Sequence, residues 1–139
     1  MPCTIMLTAR LAARPDQVYD MYLDAKTHAA ITGAPARVVP RAGTAFSAFG
    51  GELSGRTLHL VPKRVIVQSW RAASWRARDV DSTLVLTLRP DGRKGTLVDL
   101  IQVNVADHDA AGVSQGWEAF YWAPWRQYLH DRARRRANG

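Results

Sequence analysis

The stretch that tells most about the fold of this chain is Val113-Ser-Gln-Gly-Trp-Glu-Ala-Phe-Tyr-Trp-Ala-Pro-Trp-Arg-Gln-Tyr-Leu129. Its large apolar residues recur at spacings of three and four, which predicts a long helix with one broad apolar stripe. The stripe consists of Val113, Trp117, Phe120, Tyr121, Pro124, Trp125 and Tyr128. A stripe this wide must be covered, and no other segment this long is typical of a helix, so we expect a sheet to cover it.

Two residues interrupt this pattern. Trp122 falls on the opposite side of the predicted helix from the stripe. Pro124 has no N–H group and should therefore loosen or bend the helix near Phe120. Such a bend could turn Trp122 away from solvent and toward another part of the molecule.

The remaining chain predicts a strand over residues 4–9, two short helices and then about six antiparallel strands before the long helix. The helices begin at Pro15 and after Asp24, and Gly33 would close the second of them. The strand-like runs start with a short one at residues 36–40 and continue to residue 105. Gly55 interrupts one run, which suits a bend or a close approach of a neighbouring backbone.

These elements predict the α+β class, with a curved antiparallel sheet of about seven strands wrapped around the long C-terminal helix. We expect a single domain over residues 1–139, since no linker or low-complexity tract divides the chain. One helix covers only part of a sheet with a single buried face, so a cavity between the two is expected.

The composition limits the possible partners. The net charge of +7 and the pI near 10.3 suit an anionic partner, but much of the excess is arginine at residues 126–136, outside any recognisable nucleic-acid module. We expect residues 132–139 to form a basic, frayed tail and no specific nucleic acid to bind.

No apolar run approaches the roughly 18–20 residues that a membrane helix needs. The single Cys3 excludes an internal disulfide, and a cytoplasmic location is predicted.

Catalytic and metal-binding signatures are absent from the sequence. No nucleophile elbow, phosphate loop or dinucleotide fingerprint occurs, so no cofactor and no catalytic residue is predicted. Asp107-His108-Asp109 lies in a predicted loop, where adjacent side chains seldom converge on one ion, and no metal is expected. We expect His28 and His59 to be partly buried and hydrogen-bonded locally. An enzymatic role for Glu52 or Glu118 as a general acid or base is the less favoured alternative.

The aromatic residues are the best candidates for a binding site. Eight residues could line a cavity between sheet and helix: Phe46, Phe49, Trp70, Trp75, Gln102, Trp117, Tyr121 and Trp125. A mostly apolar pocket with a few polar groups is typical of small-molecule sites. The alternative is that these rings simply fill the core.

The sequence also resembles a known family through motifs spread over nearly the whole chain. The matching residues are Phe46-Ser-Ala-Phe-Gly-Gly51, Gly55, Leu60-Val-Pro62, Ile66-Val-Gln-Ser-Trp-Arg71, Trp75, Ser82, Thr96, Gln102, Gly116-Trp117 and Tyr121-Trp-Ala-Pro-Trp125. They resemble the activator of Hsp90 ATPase homologue 1-like domain, a member of the START-like (SRPBCC) superfamily. The resemblance implies the helix-grip, Bet v1-like fold, with an apolar cavity beneath the C-terminal helix.

Two functions follow as expectations. The first is a non-enzymatic domain that binds a small apolar or amphipathic molecule in that cavity. The second, implied by the resemblance alone, is a protein-interaction module for the Hsp90 chaperone. The eukaryotic activator carries a separate N-terminal domain that makes most of the stimulating contact, and these 139 residues contain no counterpart of it. Stimulation of a chaperone ATPase is therefore not implied.

Overall fold

The computed structural model describes residues 1–138, and Gly139 lies outside the described part. Six strands and the helices follow the order expected from the sequence. The elements are β1 (Cys3–Leu11), α1 (Pro15–Leu23), α2 (Ala25–Thr32), β2 (Ala45–Ala48), β3 (Leu53–Val61), β4 (Val65–Ala72), β5 (Ser82–Asp91), β6 (Gly95–Val105), α3 (Ala110–Gly116) and α4 (Ala123–Asn138).

The strands form one antiparallel sheet in the order β1-β6-β5-β4-β3-β2. The alternation of side chains in β5 places Leu84, Leu86 and Leu88 on the inner, buried face of the sheet. The prediction of about seven strands is wrong by one. Residues 36–40 make only an isolated bridge between Arg37 and Ser47, and the proline at either end of this run, Pro35 and Pro40, has no N–H to extend the ladder.

Gly55 confirms the expected close approach of two backbones. A Cβ atom at this position would overlap the carbonyl oxygen of Ser69 on β4 and lie 2.7 Å from its carbonyl carbon. The register between β3 and β4 also shifts between Thr57 and His59. Irregularities of this kind bend a strand and increase its local twist, which suits a curved sheet.

The two short helices follow local signals. The backbone N–H of Arg14 donates to Oε1 of Gln17, which fixes the start of α1 although arginine is a poor N-cap. Asp24 caps α2 by accepting a hydrogen bond from the backbone N–H of Thr27 at 2.9 Å. Gly33 ends α2 with φ of 76°, a conformation that glycine adopts without strain.

The C-terminal helix widens in its middle. Between α3 and α4, residues Trp117–Trp122 form a π-helical segment, in which the N–H of Ala123 donates to the carbonyl oxygen of Glu118 five residues earlier. Pro124 directly follows and has no N–H for the carbonyl four residues before it, so the predicted loosening near Phe120 is confirmed.

The wider turn changes which side chains face the core. Trp122 is only 3% exposed, whereas Phe120 is 60% exposed. The prediction that Phe120 belongs to the buried stripe is therefore wrong. The π segment adds one residue to the turn, and this rotates Trp122 inward and Phe120 outward.

The helix continues to the end of the described chain. Residues 132–138 are helical, where the sequence analysis expects a frayed tail, and the last predicted tail residue, Gly139, lies outside the described part. Arg134, Arg135 and Arg136 are exposed there. None of the helices within residues 1–138 combines the length and apolar character that crossing a membrane would require.

Candidate functional site

An open cleft of about 330 Å³ separates the C-terminal helix from the edge of the sheet. We call it the aromatic cleft because five rings contribute to its walls: Phe49, Trp70, Trp117, Phe120 and Tyr121. Smaller residues fill the space between them: Leu53, Ala72, Gly112, Val113 and Gly116. Trp70, Trp117 and Tyr121 are buried at its base, and the exposed Phe120 stands at its mouth.

The base of the aromatic cleft is held by a chain of buried hydrogen bonds. The indole N–H of Trp117 donates to Oε1 of Gln102 at 2.9 Å. The amide of Gln102 donates to Oγ of Ser82 at 3.0 Å, and that hydroxyl donates to the backbone carbonyl of Trp70 at 2.6 Å. Gln102 and Ser82 are completely buried, so each bond is made without competition from solvent. The indole of Trp117 is thereby fixed relative to the backbone of β4 at Trp70.

A second buried network holds Tyr121. Its hydroxyl lies 2.8 Å from Nε2 of His28, and Nδ1 of His28 lies 2.8 Å from the backbone carbonyl of Tyr22. Because a carbonyl can only accept, Nδ1 carries the proton, and Nε2 accepts the proton of the Tyr121 hydroxyl. Burial raises the pKa of Tyr121 well above its ordinary value, which keeps this hydroxyl protonated.

The network continues to the sheet through residues that were not predicted from the sequence as site residues. The hydroxyl of Tyr22 donates to Oε1 of Gln68 at 2.9 Å, and the Gln68 amide donates to Oγ1 of Thr57 at 3.2 Å. Gln68 lies between Ile66 and Trp70 on the inward face of β4. A polar residue at an inward strand position is a usable signal, because a buried amide needs partners on a facing element.

Four of the eight predicted cavity residues line the aromatic cleft: Phe49, Trp70, Trp117 and Tyr121. The other four lie elsewhere. Gln102 is behind Trp117, and Phe46 is buried beside Gly55. Trp75 packs on Trp70 with ring centroids 5.6 Å apart. Trp125 stacks between Tyr22 and Trp122 in the core. Within residues 1–138, the buried indole N–H groups of Trp122 and Trp125 have no hydrogen-bond partner.

The two carboxylates weighed as general acid or base lie in different surroundings. Glu52 is exposed and lines the aromatic cleft. Glu118 points away from it and accepts a hydrogen bond from Arg126 at 2.8 Å. His28 is buried as expected, although its Nε2 partner is 93 residues away rather than local. His59 is exposed, so its predicted partial burial is wrong.

The side chains of Asp107, His108 and Asp109 diverge. Asp107 pairs with the N-terminal amine, His108 with Asp79, and Asp109 accepts the indole N–H of Trp75 at 2.8 Å. Across the described residues 1–138, no three His, Cys, Asp or Glu side chains lie close enough together to hold a metal ion.

The buried histidine makes stability depend on pH. His28 is 3% exposed, and its desolvation lowers its pKa, although the bond to the Tyr22 carbonyl opposes this. An unfolded histidine titrates near pH ~6.5. Below that pH the unfolded chain takes up a proton that the folded chain does not. We expect the free energy of unfolding to fall with decreasing pH, by up to about 1.4 kcal/mol per unit.

Urea unfolding at pH 7.5, 6.5 and 5.5 measures this slope. His28→Gln should remove most of it, because glutamine can donate to the Tyr22 carbonyl and accept from Tyr121 without titrating. His130→Gln is the matched control, since His130 is exposed and should leave the slope unchanged. Equal slopes in wild type and His28→Gln would contradict the assignment of a neutral buried histidine.

Comparison with known proteins identifies the family. The family described as "Activator of Hsp90 ATPase homolog 1-like protein" matches residues 12–130. The "Activator of 90 kDa heat shock protein ATPase homolog" of Dictyostelium discoideum is 27% identical over 115 residues, which are 83% of this chain and 30% of that protein. The "Activator of 90 kDa heat shock protein ATPase homolog 1" of Homo sapiens is 24% identical over 120 residues, 86% of this chain and 35% of that protein. The chain thus spans about a third of the length of these curated relatives.

A solved structure gives the same fold. The crystal structure of PFC0360w, an HSP90 activator from Plasmodium falciparum, superposes with a TM-score of 0.82 at 20% identity, covering 91% of this chain and 96% of that one. This similarity confirms the predicted helix-grip architecture, with six strands rather than seven. The family match over residues 12–130 agrees with the motifs seen in the sequence. The chain belongs to the family of activator of Hsp90 ATPase homolog 1-like proteins, within the START-like superfamily.

Proposed function

We propose that this chain is a non-enzymatic binding domain that holds a small, mostly apolar molecule in the aromatic cleft. The observation that carries the proposal is an open cleft of about 330 Å³ whose walls include two rings, Trp117 and Tyr121, that buried hydrogen bonds already hold in place. This volume falls within the usual range for ligand pockets.

Preorganisation supports binding rather than mere core packing. Trp117 is held through Gln102, and Tyr121 is held through His28, so neither ring must be immobilised when a ligand enters. Each side chain that is already ordered saves about 0.5–1.5 kcal/mol of ordering entropy on binding. The hydroxyl of Tyr121 and Nε2 of His28 are bonded to each other. Because this bond occupies both groups, the arrangement supports binding rather than acid–base catalysis.

Native mass spectrometry of freshly purified protein, compared with its denatured mass, tests this proposal. We expect an adduct that disappears on denaturation. Phe120→Ala removes a ring from the mouth of the aromatic cleft and should reduce the adduct severalfold. Met6→Ala, which removes an exposed side chain from the outer face of β1, should retain it.

A second candidate function is docking onto a chaperone of the Hsp90 type. It is supported by the family match and by the names of the curated relatives. The exposed arginines 134–136 at the end of α4 offer a basic surface, which would speed encounter with an acidic partner at low salt. A clean apo mass together with heat on titration with Hsp90 from the same source would overturn the first proposal and favour the second.

A further inference from the structure

The charge at the aromatic cleft has the opposite sign to that of the whole chain. The sequence carries 19 basic and 12 acidic residues. Yet in the described part of the molecule, the charged residues lining the aromatic cleft are Glu52 and Asp109, with no basic residue among them. A ligand in this cleft therefore meets a local negative charge on a basic protein.

Neither Glu52 nor Asp109 is paired with a basic side chain in the described part of the molecule. Asp109 accepts a hydrogen bond from the indole N–H of Trp75 at 2.8 Å, and this neutral donor positions the carboxylate without neutralising it. Within residues 1–138, neither Glu52 nor Asp109 forms an ion pair with a lysine, arginine or histidine. By contrast, Glu118, in the π-helical segment and outside the cleft, is paired with Arg126.

Five of the residues that line the aromatic cleft are aromatic, and aromatic rings are the apolar groups that attract cations most strongly. Trp70 and Trp117 lie with ring centroids 6.5 Å apart and an interplanar angle of 34°. Trp117 and Tyr121 are 4.8 Å apart, and Phe49 contacts both Tyr121 and Phe120 edge to face. The faces of aromatic rings carry negative electrostatic potential, and several rings around one space are a known means of recognising quaternary ammonium groups.

From this combination we propose that the aromatic cleft selects lipophilic cations, that is, molecules with an apolar body and an ammonium group. This inference rests on the proposed function and names the ligand class for it. The ammonium lies among the rings near Glu52 and Asp109, and the apolar body packs against Val113 and Leu53. An anionic amphiphile is repelled by the two carboxylates, and a neutral one leaves them partly desolvated without a counter-charge.

A matched set of probes tests the charge preference. Phenyltrimethylammonium and tert-butylbenzene have the same shape and differ in the charge of one central atom, and 4-tert-butylbenzoate supplies the anion. Binding is followed by the side-chain ¹H–¹⁵N resonances of the five tryptophans. Trp70 and Trp117 should shift on binding, whereas Trp122 and Trp125, which lie outside the cleft, serve as internal references.

We expect the cation to bind about tenfold more tightly than the neutral probe, and the anion to bind most weakly. Glu52→Gln should reduce the preference about threefold and weaken its salt dependence. Glu118→Gln, which removes a carboxylate outside the cleft, should change neither. Equal affinity for cation and neutral probe would overturn the charge preference and leave the aromatic cleft as a binding site. No shift of Trp70 or Trp117 with any probe would overturn the proposed function itself.

Discussion

Replacing Trp125 with alanine is expected to lower the free energy of unfolding by about 3–5 kcal/mol. Trp125 is 1% exposed and stacks between Tyr22 and Trp122, at centroid distances of 6.4 Å and 6.1 Å. Its removal leaves a cavity at the junction of α1 and α4, where the ring bridges elements more than 100 residues apart in the sequence. Of the two flanking rings, Tyr22 is held by its hydrogen bond to Gln68, so the surroundings can relax into the space only in part.

Phe120→Ala is the matched control for this prediction, because periodicity alone would bury both residues in one stripe. Phe120 is 60% exposed in the structure, so its truncation should cost less than about 1 kcal/mol. Urea denaturation followed by tryptophan fluorescence or circular dichroism measures both variants. Similar losses at the two positions would mean that the helix runs through residues 117–122 without the π-helical widening.

Gly55→Ala is expected to destabilise the protein by about 3 kcal/mol or more, at the upper end of the usual cost of overpacking. The new Cβ would overlap the carbonyl group of Ser69 and lie 2.9 Å from Cε1 of Phe46. The first obstacle is backbone of a central strand pair, which cannot turn aside as a flexible side chain can. Relief requires β3 and β4 to separate, and this costs ladder hydrogen bonds and displaces Phe46 from the core.

Gly116→Ala provides the corresponding control on the C-terminal helix. A Cβ there would meet Cδ2 of Phe120 at 3.4 Å, an ordinary contact, and Gly116 already has helical angles. Alanine should leave stability unchanged or raise it by up to about 1 kcal/mol, because it favours helix more than glycine does. Thermal and urea unfolding of the two variants decide the comparison. A Gly55→Ala protein as stable as wild type would contradict the close approach of β3 and β4.

The aromatic character of the candidate site could be predicted from the residue types. Which of the aromatic residues line the cleft could not. The aromatic residues Phe49, Trp70 and Tyr121 are recognisable as candidates from their places in strand and helix patterns. The same reasoning also selects Trp75 and Trp125, which pack elsewhere. Periodicity tells which face of an element a ring occupies. Whether that ring lines an opening depends on where sheet and helix separate, and this distance is set by all the packed elements together.

The features that depend on near neighbours in the chain could be predicted from the residues alone. Alternation places Leu84, Leu86 and Leu88 on one face of a strand, Asp24 and Gly33 bound α2, and Pro124 indicates a disturbed helix. These signals are local, since a cap, a turn or a strand face is set by residues a few positions apart.

The remaining features depend on how distant segments pack in the folded protein. The tertiary structure rotated Trp122 into the core and Phe120 into the mouth of the aromatic cleft, through one additional residue in a helical turn. It also joined His28 to Tyr121 across 93 positions of sequence. The physical reason is the same in both cases. A buried indole or imidazole is placed by the partners that it must pack against or hydrogen-bond, and those partners come from distant segments whose approach no local pattern contains.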